Sequence, residues 1–172
     1  MKLIFKRPSS ELKEEALSYR QEHFEHGEMT INGSELFDKI ESYEEWLASV
    51  TRNANPLTVS PEWVLTDTFF AVDTESNKIV GIIDLRHTLN DFLINFGNSG
   101  YSVRPSERKK GYATKMLKQL LVVAKDAGLE QLHLSVEHDN SPSIKTITKN
   151  GGIYERSFEY EGKQADVYKI VL

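Results

Sequence analysis

Apolar residues recur every three or four positions between residues 111 and 127. This spacing places them on one face of an α-helix, where they would pack against the core. Gly128 follows as a residue suited to the C-terminal end of such a helix. The pattern predicts one long amphipathic helix, whose apolar face consists of Ala113, Met116, Leu117, Leu120, Leu121, Ala124 and Ala127.

Runs of β-branched and aromatic residues flank this helix. Thr66–Val72 and Lys78–Leu85 are separated by five polar residues, which predicts a hairpin. Phe92–Val103 carries an apolar run, a turn at Gly97-Asn98 and then a strand that ends at Val103, the last of three predicted antiparallel strands. Leu132–Val136 alternates apolar and polar positions after the helix. A right-handed crossover would make this strand parallel to the one that precedes the helix.

The N-terminal residues predict a short strand and two helices. Leu3–Phe5 is the strand, and a helix capped by Ser9 or Ser10 continues to about Gly27. A second helix is expected from Ser34, with apolar residues at helical spacing up to Leu47. Residues 53–61 contain two prolines and two asparagines, which favours a loop.

The C-terminal residues predict one more helix and a hairpin. Asn140 or Ser141 would cap the helix and Pro142 suits its first turn. Tyr154–Tyr160 and Asp166–Val171 form the predicted hairpin, joined by a short turn.

Composition narrows the range of functions. The chain has 172 residues, a formal charge of −5 and no cysteine. It therefore contains no disulfide, no thiolate metal ligand and no cysteine for an acyl-enzyme. Without an overall basic excess, we expect no nucleic-acid partner. No segment approaches the roughly 20 apolar residues of a membrane span, so we expect a cytoplasmic protein that does not contact the membrane.

Acidic residues are concentrated near the N-terminus. Eleven acids stand against three bases between Glu11 and Glu45. Two interpretations are open: an acidic rim that attracts a cationic amine, or solvated faces of helices, which is the more common case.

A basic turn links the predicted strand that ends at Val103 to the long helix. Arg108, Lys109 and Lys110 supply positive charge, while Gly111 and Ala113 keep bulk away from the turn. A helix N-terminus also presents unpaired backbone amides, and together these features favour phosphate binding. The spacing matches neither a P-loop nor a Gly-x-Gly-x-x-Gly turn.

The same residues, Arg108-Lys-Lys-Gly111-Tyr-Ala113, resemble the Gln/Arg-x-x-Gly-x-Gly/Ala signature of the GNAT superfamily of N-acetyltransferases. Asn140, with Lys149 and Gly151 closing the next helix, resembles the second block of that family. The resemblance covers roughly residues 69–172 and is most specific between Gly100 and Gly152. It implies a single domain, 1–172, in which residues 1–65 form a variable substrate-side part and residues 66–172 the core.

The resemblance also implies a fold and a cofactor. The expected fold is a mixed α/β arrangement around a mostly antiparallel sheet, with a splayed parallel strand pair that admits acetyl-CoA and no metal. A bulge at Gly100 would turn strand amides toward the acetyl carbonyl, the alternative being a glycine required by packing. The implied contacts are Tyr101, Ser102 and Val103 with the thioester, Arg108, Lys109, Lys110, Gly111, Tyr112, Ala113 and Thr114 with the diphosphate, and Asn140 and Ser143 with the pantetheine.

The sequence departs from the family at two catalytic positions. Many members have a tyrosine seven residues after the asparagine, where this chain has Ile147. Others have a glutamate on the fourth or fifth strand, where this chain has Gly97 and Ser135. We therefore consider His87 and Glu137 as bases acting through a water relay. Tyr154 and Tyr160 are further possibilities for the acid.

These observations favour an acetyl-CoA-dependent N-acetyltransferase in which a small-molecule or peptide amine attacks directly. The alternative is a non-catalytic module that binds or senses acyl-CoA. A general nucleotide-phosphate binder is less favoured, because no magnesium-ligand set accompanies the turn. The terminal hairpin could pair two copies in a homodimer.

Overall fold

The computed structural model describes residues 2–172. It contains seven strands and four α-helices within that range. In chain order the elements are β1 (Leu3–Lys6), α1 (Lys13–Glu25), α2 (Tyr43–Asn53), β2 (Thr66–Asp73), β3 (Lys78–Arg86), β4 (Tyr101–Val103), α3 (Tyr112–Asp126), β5 (Gln131–Glu137), α4 (Ser141–Lys149), β6 (Ile153–Tyr160) and β7 (Lys163–Val171).

The strands form two antiparallel sheets. The first has the order β1-β2-β3-β4 and the second the order β5-β7-β6. Among the described residues no ladder joins β4 to β5, and only an isolated bridge between Gly97 and Leu134 links the sheets. β4 and β5 are the splayed pair of the mixed α/β fold.

Each face of the first sheet covers its own apolar core. β2 contributes Phe69 and Ala71 to one face and Phe70 and Val72 to the other. This alternation follows from the two-residue period of a strand. The first core contains α3, α4, β5 and β7, and the second contains α1, α2 and the segment between them.

The predicted long helix is confirmed as α3. Met116, Leu117, Leu120 and Ala124 are fully buried in the first core, as the periodicity requires. The hairpin of β2 and β3, strand β5, the short helix α4 and the hairpin of β6 and β7 are also present. Asn140 caps α4, because its Oδ1 accepts a hydrogen bond from the amide of Ser143.

The predicted helix from Ser34 is wrong, because α2 begins only at Tyr43, with Ser42 as its N-cap. Glu35 and Leu36 have positive φ angles of 50° and 71°, which are incompatible with a helix. Several backbone carbonyls of this segment accept hydrogen bonds from side chains. Arg20 donates to the carbonyls of Phe37 and Ile40, and Trp46 Nε1 donates to those of Ser34 and Glu35.

The predicted strand that ends at Val103 is present as the short β4, but the apolar run that precedes the turn at Gly97-Asn98 is not a strand. Only Tyr101–Val103 pairs with β3 in a ladder, and residues 91–96 form turns. Asn90 initiates these turns, since both its carbonyl and its side-chain oxygen accept from the amide of Leu93. Phe92 and Phe96 lie 5.2 Å apart between ring centres, so aromatic packing rather than strand pairing organises this segment.

Candidate functional site

A cavity of about 570 Å³ lies between β4 and the N-terminus of α4. One wall is the short strand Tyr101–Val103, and the floor is the turn that leads into α3. The first turn of α4 closes the side opposite β4. The remaining wall comes from the segment after α1, through Glu28, Thr30 and Asn32.

The structure brings together nearly all of the residues that the sequence assigned to a cofactor. The exception is Lys110, which is not part of the lining. The assigned residues that line the cavity are Tyr101, Ser102, Val103, Arg108, Lys109, Gly111, Tyr112, Ala113, Thr114, Asn140 and Ser143.

The N-terminus of α3 opens into this cavity without a side-chain cap. Gly111 is the N-cap residue, with a φ angle of 84° that favours glycine. Within the described part of the chain no side chain caps the first amides of the helix, and a Cβ built on Gly111 would meet nothing within 4 Å. The helix dipole and these amides therefore favour an anion at this end of the cavity.

The three cations of the turn are in different environments. The guanidinium of Arg108 makes two hydrogen bonds of 2.6 and 2.7 Å to the carboxylate of Glu28. Lys110 Nζ donates to Glu107 Oε2 at 2.8 Å. Within residues 2–172, Lys109 is the cation of this turn that has no ion pair. The Arg108 guanidinium lowers the pKa of Glu28 to about 2.

Tyr101 bridges the cavity from β4 to α4. Its hydroxyl lies 2.7 Å from Ser143 Oγ, a hydrogen-bond distance. Burial raises the pKa of Tyr101, so the phenol stays protonated at neutral pH. Ile147, at the position where many family members carry a tyrosine, is fully buried in the first core and does not line the cavity.

Neither proposed base lines the cavity. His87 Nε2 lies 2.7 Å from Asp67 Oδ2, and Asp67 also pairs with Arg7 at 2.8 Å. The side chain of Glu137 is 57% exposed and lies 3.8 Å from Lys163 Nζ. The structure thus places His87 in a hydrogen bond with Asp67 and Glu137 beside Lys163, both outside the cavity lining.

The other four positions weighed for acid–base roles also lie outside the lining. Ser135 Oγ donates to the carbonyl of Phe96, and a Cβ on Gly97 would lie 2.3 Å from the carbonyl oxygen of His133. Tyr154 bonds to Ser157, while Tyr160 packs on Phe96. The hydroxyls of Ser135 and Tyr154 thus form hydrogen bonds, and Gly97 and Tyr160 make packing contacts.

Gly100 is a site of close backbone approach. A bulge would appear as a shift in strand register. Such shifts occur at Ala71/Val72 and at Tyr154/Arg156, whereas the ladder of β3 with β4 is regular up to Tyr101, next to Gly100. Its amide donates to Asp84 Oδ1 at 2.7 Å, and a Cβ there would lie 3.0 Å from the amide nitrogen of Gly33. The glycine lets the segment after α1 lie directly on the strand.

The sequence analysis missed the wall formed by Glu28, Thr30 and Asn32. The contacts that hold it are tertiary: Ser102 Oγ donates to the carbonyl of Asn32 at 2.8 Å. The signal in the sequence was the pair of glycines Gly27 and Gly33. In the structure their φ angles of 74° and 75° turn the chain at both ends of the segment. Those glycines could have identified residues 28–32 as a separate loop.

Part of the acidic cluster is used internally. Glu15 Oε1 accepts from Arg104 at 2.8 Å, and Glu22 accepts from Arg104 and from the amide of Ser106. Together with Glu28 on Arg108, these carboxylates attach α1 and the following segment to β4 and its turn. They correspond neither to a free rim nor to fully solvated helix faces.

The buried carboxylate of Asp84 and the partly buried one of Glu35 share Arg86. Glu35 accepts from Trp63 Nε1 at 3.0 Å, and Arg86 Nη2 lies 3.2 Å from Asp84 Oδ2 and 3.8 Å from Glu35 Oε2. Burial and the neighbouring Asp84 carboxylate raise the pKa of Glu35. Glu35 therefore keeps its proton to a higher pH than an ordinary glutamate does.

Comparison with known proteins agrees with this geometry. The sequence model of the acetyltransferase (GNAT) domain matches residues 3–153. The chain belongs to the GNAT acetyltransferase family. No curated protein matches the chain closely enough to indicate a relative.

Solved structures of GNAT proteins share the fold along the whole chain. RimL, a ribosomal L7/L12 alpha-N-protein acetyltransferase in complex with coenzyme A, is 14% identical with a TM-score of 0.72, covering 99% of this chain and 94% of its own. The ribosomal-protein-S5-alanine acetyltransferase of Vibrio fischeri is 14% identical with a TM-score of 0.74, covering 98% and 92%. An N-acetyltransferase of Staphylococcus aureus Mu50 is 16% identical with a TM-score of 0.67, covering 99% of each chain.

The described residues contain neither a cluster of metal-ligating side chains nor a membrane-spanning helix. Across residues 2–172, no group of three or more His, Asp or Glu side chains is arranged to hold a metal ion. None of the helices in that range is long and apolar enough to cross a membrane.

Proposed function

We propose that this GNAT protein transfers the acetyl group of acetyl-CoA to a primary amine by direct attack in a ternary complex. The observation that carries the proposal is the cavity between β4 and the N-terminus of α4, with the open N-terminus of α3 at its floor. Amides and Lys109 there would hold the diphosphate, and β4 would align the thioester. We place the reaction in the cytoplasm, where acetyl-CoA is available.

The chemistry needs one nucleophile and two proton movements. The amine nitrogen attacks the carbonyl carbon of the thioester, the carbon–sulfur bond breaks, and coenzyme A leaves as a thiolate. Because a thiol has a pKa of about 8.5, the thiolate is a fair leaving group and needs little protonation. An amine with a pKa of about 10 must first lose a proton.

Tyr101 is our choice for the group that protonates the thiolate. It lines the cavity, its burial keeps it protonated, and Ser143 orients its hydroxyl. It would replace the tyrosine whose family position is occupied here by buried Ile147. His87 and Glu137 remain predictions for the base, and either would need a water relay to reach the amine.

The class of acceptor is also part of the proposal. Two of the similar structures are acetyltransferases that act on ribosomal proteins. Peptides with a free N-terminus therefore belong in the first amine panel, beside polyamines, amino acids and aminoglycosides.

Release of coenzyme A in the presence of this panel tests the function. We expect turnover with at least one amine. In Tyr101→Phe we expect kcat to fall about tenfold, less than a typical acid–base contribution because the thiolate leaves readily. Tyr154→Phe is the matched control, since its hydroxyl bonds to Ser157 away from the cavity. Equal rates in the two variants would exclude Tyr101 as the acid.

The second candidate function is a non-catalytic acyl-CoA-binding module. The burial of Ile147 and the packing of Gly97 and Ser135 favour it, because these positions carry the acid and base in other members. Binding of coenzyme A by calorimetry without turnover on any amine would support this alternative. Competition by ATP as strong as that by coenzyme A would instead indicate a general nucleotide-phosphate site.

A further inference from the structure

The clearest interaction that the proposed function leaves unused is the ion pair between Arg108 and Glu28. Both residues line the cavity, yet they come from parts of the chain 80 residues apart. Arg108 opens the turn into α3, and Glu28 follows α1. The pair therefore connects the turn at the cavity floor to the wall that closes the cavity.

All three guanidinium nitrogens of Arg108 are engaged. NH1 and NH2 each donate to one carboxylate oxygen of Glu28, and Nε donates to the carbonyl of Val103 at 3.2 Å. A bidentate arginine–carboxylate pair is among the stronger charged contacts in proteins and has a fixed planar geometry. The charge that Arg108 could offer to a diphosphate is thus largely neutralised by Glu28.

The Glu28 carboxylate has a second partner on its other side. His23 Nδ1 lies 2.9 Å from Glu28 Oε1, and His23 is only 1% exposed. Burial lowers the pKa of His23, so its neutral ring donates from Nδ1 to the ionised carboxylate. Glu28 is consequently fixed between α1 and the turn.

The segment that Glu28 begins is attached to β4 further along. Ser102 Oγ donates to the carbonyl of Asn32, and Tyr19 of α1 donates to the carbonyl of Ser102 at 3.0 Å. Residues 28–32 are therefore held at both ends, by Arg108 and by Ser102. Between these points Thr30 faces the cavity.

We propose that Arg108 is a positioning residue that fixes the wall segment 28–32 against the cofactor turn, and that Lys109 is the cation that contacts the diphosphate. This inference rests on the proposed binding of acetyl-CoA. It gives the two neighbouring cations separate roles: one secures the acceptor side of the cavity, and the other secures the cofactor.

Lys109 fits this second role by position and by charge. It lines the cavity beside Gly111, and among residues 2–172 no carboxylate lies within ion-pair distance of it. Its φ angle of 64° places it in the tight part of the turn. Lys110 points to Glu107 instead and is outside the lining.

Two measurements on four variants separate these roles. Coenzyme A affinity is measured by calorimetry, and amide hydrogen exchange is measured over residues 28–32. The variants are Lys109→Gln, Arg108→Gln, Arg108→Lys and Glu28→Gln, each confirmed as folded by its thermal transition. Arg108→Lys keeps the charge but loses the planar fork.

We expect each set of variants to change one of the two measurements and not the other. Lys109→Gln should weaken coenzyme A binding about tenfold and leave exchange in residues 28–32 unchanged. Both Arg108 variants and Glu28→Gln should speed exchange there at least fivefold while changing coenzyme A affinity less than about twofold.

The proposal is overturned if Arg108→Gln weakens coenzyme A binding as much as Lys109→Gln and Arg108→Lys restores it, since that result makes Arg108 a ligand of the diphosphate. Unchanged exchange in Glu28→Gln overturns it as well. Failure of the unmodified protein to bind coenzyme A would refute the proposed function instead, and the exchange measurements would still decide whether Arg108 holds the wall.

Discussion

The two apolar cores on opposite faces of the first sheet are built differently. The core beside α3 is filled mainly by aliphatic side chains at regular helical spacing, such as Met116, Leu117 and Leu120. The core beneath α1 and α2 contains a cluster of aromatic rings beside aliphatic side chains, and part of it comes from the irregular segment between the two helices. Its rings are Tyr19, Phe37, Tyr43, Trp46 and Phe70.

The two cores support different parts of the cavity, namely the turn into α3 and the wall of residues 28–32. Regular packing in the first core fixes the start of α3, and with it the amides that face the cavity. In the second core, backbone carbonyls of the segment between the helices accept hydrogen bonds from the side chains of Arg20 and Trp46. The cavity wall of residues 28–32 follows α1 of the second core, while the turn into α3 belongs to the first core.

The largest effect is expected from Phe37→Ala. Phe37 is fully buried and contacts Tyr43, Trp46 and Phe70, so its removal should lower the free energy of unfolding by about 3–5 kcal/mol. Urea denaturation measures this change. Phe92→Ala is the control, because Phe92 is 62% exposed and should cost less than about 1 kcal/mol. Similar losses in the two variants would contradict the importance of the aromatic core.

A smaller loss of stability is expected from Gly33→Ala, where the segment after α1 lies against the residue before β4. Gly33 has a φ angle of 75°, and a Cβ there would lie 2.2 Å from the carbonyl oxygen of Gly100. Gly27→Ala is the matched control, with a φ angle of 74° and nothing within 4 Å.

Both changes introduce left-handed strain of roughly 1–2 kcal/mol. Only Gly33→Ala adds a backbone clash, which should bring its loss of stability to about 2–4 kcal/mol. Thermal unfolding compares the two variants. A Gly27 variant that is as unstable as the Gly33 variant would mean that strain alone matters and that the contact with Gly100 does not.

The smallest effect concerns pH. Burial lowers the pKa of His23, so below about pH 6.5 the unfolded chain binds a proton that the folded chain does not. The free energy of unfolding should therefore decrease as pH falls from about 7 to 5. Glu28 and Arg108 face this ring, and the low pKa of Glu28, about 2, keeps its carboxylate ionised throughout.

His23→Gln keeps a donor for Glu28 but does not titrate. We expect its stability to depend less on pH over this range, by about 1 kcal/mol or less per pH unit. Urea denaturation at three pH values measures the slopes. Parallel profiles for the two proteins would show that His23 does not contribute to the pH dependence.

The sequence predicted most where regular elements dominate. The stripe of α3 and the alternation of β5 identify their structures because each side chain's face follows from its position in the repeat. The segment after Ser34 misled the same reasoning, since Leu36, Phe37 and Ile40 have helical spacing but belong to a turn. Leu36 is in fact 60% exposed while Phe37 is buried, so these apolar residues do not share one buried helical face.

The sequence by itself determined the family, the order of most elements and the turn at Gly111, because these depend on neighbours in the chain. Only the tertiary structure decided that Glu28 meets Arg108, that Tyr101 reaches Ser143, and that His87 and Glu137 lie outside the cavity lining. The physical reason is that ion pairs and hydrogen bonds between distant residues depend on how the elements pack, and this information is not contained in local periodicity or charge.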